Sequence, residues 1–341
     1  MDKETLFDLL KTVTEIPGPV GREELVQGFM EKKFSSHKCN ILHDGAGNMV
    51  AHIPGDGKKT IIGAHACEIG FMVKSILESG LIQITPNYKT RGADTRILPF
   101  HDVNILTDTY ECIEGVFTID TGHVVDSETR EKVPALEDVT VDIGASCQDD
   151  VQALGVHIGC PVVWDVKTKK IGSRVRGKAM DDRLGLTTLL AIAEYLHEAK
   201  VKRDVYLAST VQEEIGVRGA RALASHLKSE EAFILEIMPA SRDSRGVQLG
   251  KGPVIVYKDS SLHYSHRLIM QCKRVAQTHG VCLQTGILER GITDGLGFFV
   301  NSATQTALLG CPTLYPHSPG ETLDLSDLQQ MIDLLIYILA E

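Results

Sequence analysis

A central stretch of roughly 100 residues, an ordinary size for a small domain, differs in pattern from the rest of the chain. Between residues 71 and 170 the sequence contains short strand-like segments separated by turn residues, and no long helical pattern of apolar residues. On both sides of it, strand-like and helix-like segments alternate, which predicts a mostly parallel sheet flanked by helices. We therefore expect an α/β fold with a discontinuous domain, residues 1–70 and 171–341, and an inserted small all-β domain, residues 71–170.

Apolar spacing defines the clearest elements of the α/β part. Apolar side chains recur at helical intervals over residues 2–14 and 182–200, which predicts two amphipathic helices. Short apolar runs predict buried strands at 60–64, 204–210, 232–237 and 304–309. The chain has 341 residues, more than the roughly 250–300 at which a single core stops growing. Its length thus agrees with two domains.

Charge and cysteine content exclude several classes of protein. The net charge of −10 argues against a nucleic-acid partner and against binding to an anionic membrane. No apolar run reaches the roughly 18 residues that span a bilayer, and the N-terminal residues do not resemble a signal peptide. The eight cysteines include no Cys-x-x-Cys pair, which favours reduced thiols over a disulfide framework. We expect a cytoplasmic protein.

Acidic residues and histidines occur close to the ends of several predicted strands. The candidates are His65 and Glu68, Asp181 and Asp182, Glu213 and Glu214, Glu236, and His317. Open α/β sheets place their sites at the carboxyl ends of strands, so these side chains are expected near one edge of the sheet. Glu236 is the most informative of them, because it interrupts an apolar strand and lone acids are almost never fully buried.

The types of side chain in this set favour metal chemistry. Imidazole and carboxylate ligands without cysteine suit zinc, cobalt or manganese, and a bridging carboxylate can hold two such ions. In an extended segment the adjacent side chains of Glu213 and Glu214 point apart, so one could bind metal while the other acts as a general base. Ordinary roles remain open, because a strand-end histidine is often only hydrogen-bonded and an Asp-Asp pair often only caps a helix.

A series of short motifs extends along nearly the whole chain in a consistent order. They are Thr14-Glu15-Ile16-Pro17-Gly18-Pro19, Gly63-Ala64-His65-Ala66-Cys67-Glu68, Val141-Asp142-Ile143-Gly144-Ala145, Gly177-Lys178-Ala179-Met180-Asp181-Asp182-Arg183, Gln212-Glu213-Glu214-Ile215-Gly216, Thr293-Asp294-Gly295 and Pro316-His317-Ser318-Pro319. With these motifs the sequence resembles the glutamyl/deblocking (TET-type) aminopeptidase family of dinuclear zinc metallopeptidases. Some members of that family carry an endoglucanase label or occur in sugar-utilisation operons.

The resemblance implies an aminopeptidase that hydrolyses N-terminal residues from peptides, using water activated by a dinuclear metal centre. It implies two divalent metal ions per subunit, zinc or alternatively cobalt or manganese. Glu213 is the implied general base, and Asp181 the implied bridging ligand. The implied metal ligands are His65, Asp181, Glu214, Glu236 and His317. The family also leads us to expect a cis peptide bond between Asp181 and Asp182.

The resemblance also implies a quaternary structure. The insert at residues 71–170 corresponds to the family's dimerisation domain. Dimers in this family commonly assemble into hollow dodecamers, which admit peptides and exclude folded proteins. We therefore expect a homo-oligomer, with a dodecamer built from dimers as the form that the family suggests.

Cys67 departs from the family pattern and leaves a second hypothesis open. The family usually has aspartate two residues after the first histidine ligand, where it orients that histidine. Losing such a partner typically costs about 10–100-fold in metal affinity or activity. The chain could therefore be a catalytically impaired or repurposed metal-binding homologue. A milder departure is Glu236, which stands where many relatives have aspartate.

A glycoside hydrolase, following the endoglucanase label, is a third hypothesis. Paired acids such as Glu213 with Asp181 could serve acid and base roles in sugar hydrolysis. Against it, two candidate histidine ligands have no place in that mechanism. Trp164 is also the only tryptophan that could stack on a sugar ring.

Overall fold

A computed structural model describes residues 1–89, 92–199, 202–241 and 246–341. The chain divides into two compact units. The first, called here the sheet unit, comprises Met1–Glu68, Thr168–Pro316 and Gly320–Glu341; the second, the barrel unit, comprises Ile69–Lys167 and His317–Pro319. The sequence-based boundaries, after residues 70 and 170, lie two and three residues from this division.

The described residues form α-helices and β-strands that are numbered separately in chain order. The helices are α1 (Lys3–Glu15), α2 (Glu24–Ser36), α3 (Ser127–Arg130), α4 (Gln148–Ala153), α5 (Met180–Glu198), α6 (Arg218–His226), α7 (His266–His279), α8 (Gly295–Ser302) and α9 (Leu325–Ala340). The strands are β1 (Asn40–His43), β2 (Met49–Ile53), β3 (Lys59–His65), β4 (Phe71–Ile76), β5 (Ile82–Pro86), β6 (Asp102–Leu106), β7 (Cys112–Thr118), β8 (Thr140–Asp142), β9 (Pro161–Trp164), β10 (Lys169–Ile171), β11 (Arg174–Gly177), β12 (Asp204–Thr210), β13 (Glu231–Pro239), β14 (Val254–Val256), β15 (Gln284–Gly286), β16 (Gln305–Leu314) and β17 (Glu321–Asp324).

The sheet unit is built on one mixed sheet. Its strand order is β1-β2-β12-β3-β13-β16-β17-β11-β10, and β14 joins it through β16 and carries β15. Parallel pairing occurs at the centre, between β12, β3, β13 and β16, and between β14 and β15. The other pairs are antiparallel. The prediction of a mostly parallel sheet is therefore right for the centre and wrong for the edges, where hairpins such as β1–β2 and β10–β11 and longer returns such as β2–β12 pair strands antiparallel.

Both predicted amphipathic helices are present. The helix predicted over residues 2–14 is α1, whose first turn is capped by the Asp2 carboxylate, an acceptor of the Glu4 and Thr5 N–H groups at 2.9 Å. The helix predicted over 182–200 is α5. Its backbone is non-helical at Asp181 and Asp182, so the regular helix begins after them. The predicted end at Lys200 lies outside the described residues.

Helix α5 supplies much of the apolar packing of the sheet unit. It contacts β3 and β13, the strands at the centre of the sheet. Leu186, Leu189 and Ile192 are fully buried on it. This helix is buried along most of its length, because other elements enclose it. It thereby fixes the backbone that starts at Asp181 against the strand that ends at His65.

The barrel unit has its own core. Strands β4-β5-β8-β7-β6-β9 close into a barrel, so no edge of this small sheet is left unpaired. Phe71 packs edge-on against Phe117 and Trp164, with ring centroids 5.3 and 6.0 Å apart. None of the helices in the described part of the chain is long and apolar enough to cross a membrane.

Candidate metal centre

The central strands bring the predicted residues to one edge of the sheet. His65 is the last residue of β3 and pairs in register with Thr210, the last residue of β12. Glu213 and Glu214 follow β12 within four residues, and Glu236 lies towards the end of β13. Because β3, β12 and β13 are parallel neighbours, their carboxyl ends face the same way.

Three of the predicted ligands converge. His65, Asp181 and Glu214 each offer a ligand atom, and these atoms all lie within 4.8 Å of one another. The Nε2 atom of His65 is 2.9 Å from Asp181 Oδ1 and 3.8 Å from Glu236 Oε2. Four of the five residues that the family resemblance implies as ligands are therefore grouped within the sheet unit.

Main-chain contacts set the orientation of the His65 ring. Its Nδ1 lies 3.0 Å from the backbone carbonyl oxygen of Cys67. A carbonyl can only accept, so Nδ1 carries the proton of this hydrogen bond. In a neutral ring the lone pair of Nε2 then faces the Asp181 carboxylate, and two acceptors face each other. A cation between them would turn this repulsion into coordination, which is the usual state of a metal-bound histidine.

The acids around this cluster are buried together. Burial raises the pKa of the carboxyl groups of Asp182, Glu213 and Glu236 well above their usual range, and the neighbouring carboxylates raise it further. Burial also raises the pKa of Asp294. Grouped acids of this kind are costly unless a cation neutralises them. Together with the imidazole, this set of donors fits a divalent metal ion.

Asp181 and Asp182 have different partners. The peptide bond between them is cis, as the family resemblance predicted. Asp181 donates its N–H to Glu321 Oε2 at 3.2 Å. The Asp182 carboxylate instead accepts the N–H groups of His65 and Gly185, at 3.3 and 3.1 Å. Asp182 therefore ties the end of β3 to the first turn of α5, while Asp181 contributes its side chain to the cluster of candidate ligands.

Cys67 is completely buried beside the cluster. Its Sγ lies 3.5 Å from His65 Nδ1 and accepts the backbone N–H of Glu213 at 3.2 Å. Burial raises the pKa of the Cys67 thiol to about 12, so the thiol is neutral near pH 7. Where the family resemblance leads us to expect aspartate, this chain thus has a cysteine whose sulfur contacts the first expected ligand, His65, and the main chain of the expected general base, Glu213.

His317, the fifth expected ligand, belongs to the barrel unit with Ser318 and Pro319. The sequence predicts it in the α/β domain, which the contacts of the folded chain do not support. Its backbone is in the left-handed region, with a φ of 58°, which is uncommon for a residue other than glycine. Its participation in the metal centre stays a prediction.

A buried ionic cluster beside the site was not foreseen from the sequence. Lys178 Nζ lies 2.6 Å from Glu68 Oε2, and Arg183 Nη2 lies 3.6 Å from Glu68 Oε1. The Arg183 guanidinium also donates to the carbonyl oxygens of Val13, Ile16 and Ala66. Glu68, Lys178 and Arg183 occur in the motifs that carry the family resemblance. The sequence does not show that they pair, because the pairing depends on tertiary structure.

Asp294 is a further residue without a sequence-based role. Its carboxylate accepts a hydrogen bond from the Thr210 hydroxyl, at the end of β12, and it is almost completely buried. The Thr293-Asp294-Gly295 motif contains it, although nothing in the sequence linked it to Thr210. This contact joins the start of α8 to the strand that leads into Glu213.

Comparisons with known proteins bear on the family of the chain. The family model described as M42 glutamyl aminopeptidase matches residues 47–334. A putative aminopeptidase, SgcX, from Escherichia coli (strain K12) is 28% identical over 98% of this chain and 92% of its own length. The lysyl aminopeptidase of Pyrococcus furiosus is 27% identical over 98% of this chain and 97% of its own.

A comparison with solved structures gives a similar result for the fold. The Pyrococcus horikoshii TET1 peptidase, described as able to assemble into a tetrahedron or a large octahedral shell, superposes with a TM-score of 0.91. It is 29% identical and the match covers 98% of this chain and 99% of that one. The family model spans most of the chain, and the fold comparison independently leads to the same family. The chain belongs to the M42 glutamyl aminopeptidase family and is a hydrolase of the aminopeptidase class.

Proposed function

We propose that the chain is a metal-dependent aminopeptidase that hydrolyses N-terminal residues from peptides. The observation that carries the proposal is the convergence of His65, Asp181 and Glu214 ligand atoms within 4.8 Å of one another on a buried, acidic edge of the sheet. Glu236 is the fourth proposed ligand and His317 the fifth. Such a set would hold two divalent ions, with zinc as the first choice and cobalt or manganese as alternatives.

Glu213 is the proposed general base. The metal ions, when bound, would act as Lewis acids and make water more acidic. Glu213 adjoins Glu214 in the chain but is not part of the converging ligand trio. Its carboxyl is buried, and its main chain is held by Cys67 Sγ. Glu213 would thus be positioned to take a proton from the attacking water and pass it to the leaving amine.

The endoglucanase hypothesis gains no support from Trp164. This side chain is 3% exposed and packs against Phe71 in the core of the barrel unit. It is therefore not available as a platform for a sugar ring. The hypothesis of an impaired or repurposed homologue, in contrast, remains as one outcome of the experiment below.

We further propose that the chain forms homo-oligomers, with the barrel unit as the dimerisation domain. The support is the match to the TET1 peptidase, whose description names tetrahedral and octahedral assemblies. A dodecamer of 37.3 kDa chains has a mass of about 450 kDa. Light scattering coupled to size-exclusion chromatography would distinguish it from a dimer or monomer.

The experiment that tests the function combines metal analysis with a substrate panel. Metal content of the purified protein is measured by mass spectrometry, and aminoacyl-p-nitroanilides are screened with and without added zinc, cobalt or manganese. Bound divalent metal with metal-dependent turnover supports the proposal and identifies the preferred N-terminal residue. Bound metal without turnover on any substrate indicates an impaired or repurposed homologue. Turnover that survives complete metal removal contradicts the metal-dependent mechanism.

A further inference from the structure

We infer that Cys67 is a positioning residue for Glu213: its sulfur fixes the main chain of Glu213, while its backbone carbonyl, and not its side chain, orients His65. The inference rests on the proposed function and concerns the same site. It assigns separate tasks to two parts of one residue. This division would let the chain keep a working centre without the aspartate that the family resemblance leads us to expect at this position.

The first task concerns His65. The Nδ1 atom of His65 is 3.0 Å from the Cys67 carbonyl oxygen and 3.5 Å from the Cys67 sulfur. Oxygen is the stronger acceptor of the two, because thiol sulfur accepts hydrogen bonds only weakly. The main-chain carbonyl therefore fixes the tautomer and direction of the imidazole. Replacing the side chain at position 67 leaves this carbonyl in place.

The second task concerns the turn that carries Glu213. Gln212, just before it, has a left-handed backbone with a φ of 54°, a conformation that needs support from its surroundings. The Gln212 N–H is held by Glu23 Oε1 at 3.0 Å, and the Glu213 carbonyl accepts the N–H groups of Gly216 and Val217 at 2.8 Å. The Glu213 N–H is held by Cys67 Sγ at 3.2 Å.

The sulfur is therefore the acceptor that completes the hydrogen bonding of the Glu213 backbone. Cys67 is fully buried and Glu213 is 7% exposed, so water has little access to replace it. Leaving a buried N–H without an acceptor costs free energy. The Glu213 N–H can find a new acceptor only if the turn moves. A small displacement of a general base lowers the rate strongly, because proton transfer depends on its distance and direction.

The test compares three variants in the full-length, metal-loaded protein. Cys67→Ala removes the acceptor of the Glu213 N–H but keeps the carbonyl that orients His65. We expect kcat to fall about 10-fold or more, with metal affinity within about 3-fold of the wild type. Cys67→Ser restores an acceptor, so its kcat should stay within about 3-fold of the wild type. Metal affinity is measured by competition with a chromogenic chelator.

Cys272→Ala is the matched control. Cys272 on α7 is also fully buried, and burial raises the pKa of its thiol to about 12, as for Cys67. Both alanine variants lose a buried thiol, so both should lose thermal stability. Only Cys67→Ala should lose kcat. Equal kcat in Cys67→Ala and Cys272→Ala would overturn the inference and reduce Cys67 to a packing role.

Two readouts do not require turnover. Hydrogen–deuterium exchange of the peptide containing residues 211–217 should be faster in Cys67→Ala than in Cys67→Ser or Cys272→Ala. The cobalt-substituted wild type should lack a thiolate-to-cobalt charge-transfer band, because the sulfur supports Glu213 and does not bind metal. Unchanged exchange would overturn the inference. A charge-transfer band that Cys67→Ala abolishes would also overturn it, because Cys67 would then be a ligand.

The two proposals fail in different ways. A wild type without metal or turnover contradicts the proposed function, while the exchange comparison still decides whether Cys67 holds Glu213. An active wild type with an equally active Cys67→Ala variant contradicts only the positioning role. A 10–100-fold loss of metal affinity in Cys67→Ala would also contradict it, because the side chain would then be what orients His65.

Discussion

Glu213 and Glu214 are adjacent in the chain but differ in their surroundings. Glu214 contributes an oxygen to the converging cluster with His65 and Asp181, whereas Glu213 is fixed through its main chain by Cys67. We expect Glu213→Gln to lower kcat by about 10²–10⁴-fold, the usual contribution of general acid–base catalysis. Metal content should stay at the wild-type level. Steady-state kinetics and metal analysis of the same preparation check both expectations.

Glu214→Gln provides the contrast at the neighbouring position. It alters a proposed metal ligand, so metal stoichiometry should fall together with activity. If Glu213→Gln lost metal while Glu214→Gln kept it, the two roles would have to be exchanged. If Glu213→Gln kept full activity, no general base would be assigned to this pair.

At the scale of single residues, the sequence predicted the members of the cluster better than their supports. His65, Glu214 and Glu236 could be found because each follows or ends a predicted strand in a sheet whose centre is parallel. Asp182 could not be assigned, since its partners are backbone N–H groups of His65 and Gly185 that only the folded chain brings together. The same holds for the pairing of Glu68 with Lys178.

At the scale of elements, the segment after α1 illustrates how the buried guanidinium of Arg183 restricts its neighbours. A Cβ atom on Gly18 would lie 2.5 Å from Arg183 Nη2 and 2.6 Å from a methyl group of Val26. Gly18→Ala should therefore destabilise the protein by about 1–3 kcal/mol, the usual cost of overpacking. Chemical denaturation of the wild type and the variant measures the difference.

Gly28→Ala is the control for that substitution. Gly28 lies within α2, and a Cβ atom there would have no neighbour within 4 Å. Alanine has the higher helix propensity, so this variant should gain about 0.5–1 kcal/mol. A loss of stability in both variants would show that the effect at Gly18 does not come from Arg183.

The backbone just before β14 is held by a carboxylate from α9. Asp327 is fully buried and accepts the N–H groups of Gly250 and Gly252, both at 2.7 Å. Asp327→Ala would leave the buried N–H of Gly252 and the more exposed N–H of Gly250 without this acceptor, which should cost about 1–3 kcal/mol of unfolding free energy. Asp333→Ala on the same helix removes a partly exposed carboxylate and should change stability by less than about 0.5 kcal/mol. Similar losses in the two variants would contradict the role of Asp327.

Element-level prediction succeeded where periodicity was strong. Helices α1 and α5 were predicted because their apolar residues repeat at helical spacing over more than ten residues. The antiparallel pairing at the edges of the sheet was not predicted, because the apolar pattern of a short strand does not show with which neighbour the strand pairs. Strand β10, at one edge, and β17, between β16 and β11, take their direction from hairpin and crossover geometry, which the local sequence does not encode.

At the scale of the whole molecule, the sequence changes in pattern at residues 71 and 170, and the described chain divides into two compact units close to these positions. The barrel unit has its own aromatic core, around Phe71, and a closed sheet that shares no strand with the sheet unit. The sequence did not predict that residues 317–319 group with the barrel unit. Such a short return of the chain has no composition of its own and is defined only by its contacts.

The buried acids of the sheet unit connect metal binding with the stability of the fold. Asp182, Glu213 and Glu236 share one low-dielectric region, where burial raises the pKa of each carboxyl. A divalent ion that binds only the folded chain adds about 2.7 kcal/mol of stability at a free concentration 100 times its Kd. For domains of this size that amounts to roughly 5–10 °C in Tm. Chelation should therefore lower the Tm by several degrees, and added zinc, cobalt or manganese should restore it.

His65→Ala separates metal binding from other effects of the chelator. This variant lacks an expected ligand, so its Tm should respond little to chelation or to added metal. The wild type and the variant are compared by differential scanning calorimetry at the same ionic strength, because salt also changes the repulsion between surface charges. If the wild-type Tm were unaffected by chelation while the protein lost its metal, the buried acids would have to be stabilised by protonation and hydrogen bonds alone. The metal would then serve catalysis without contributing to the fold.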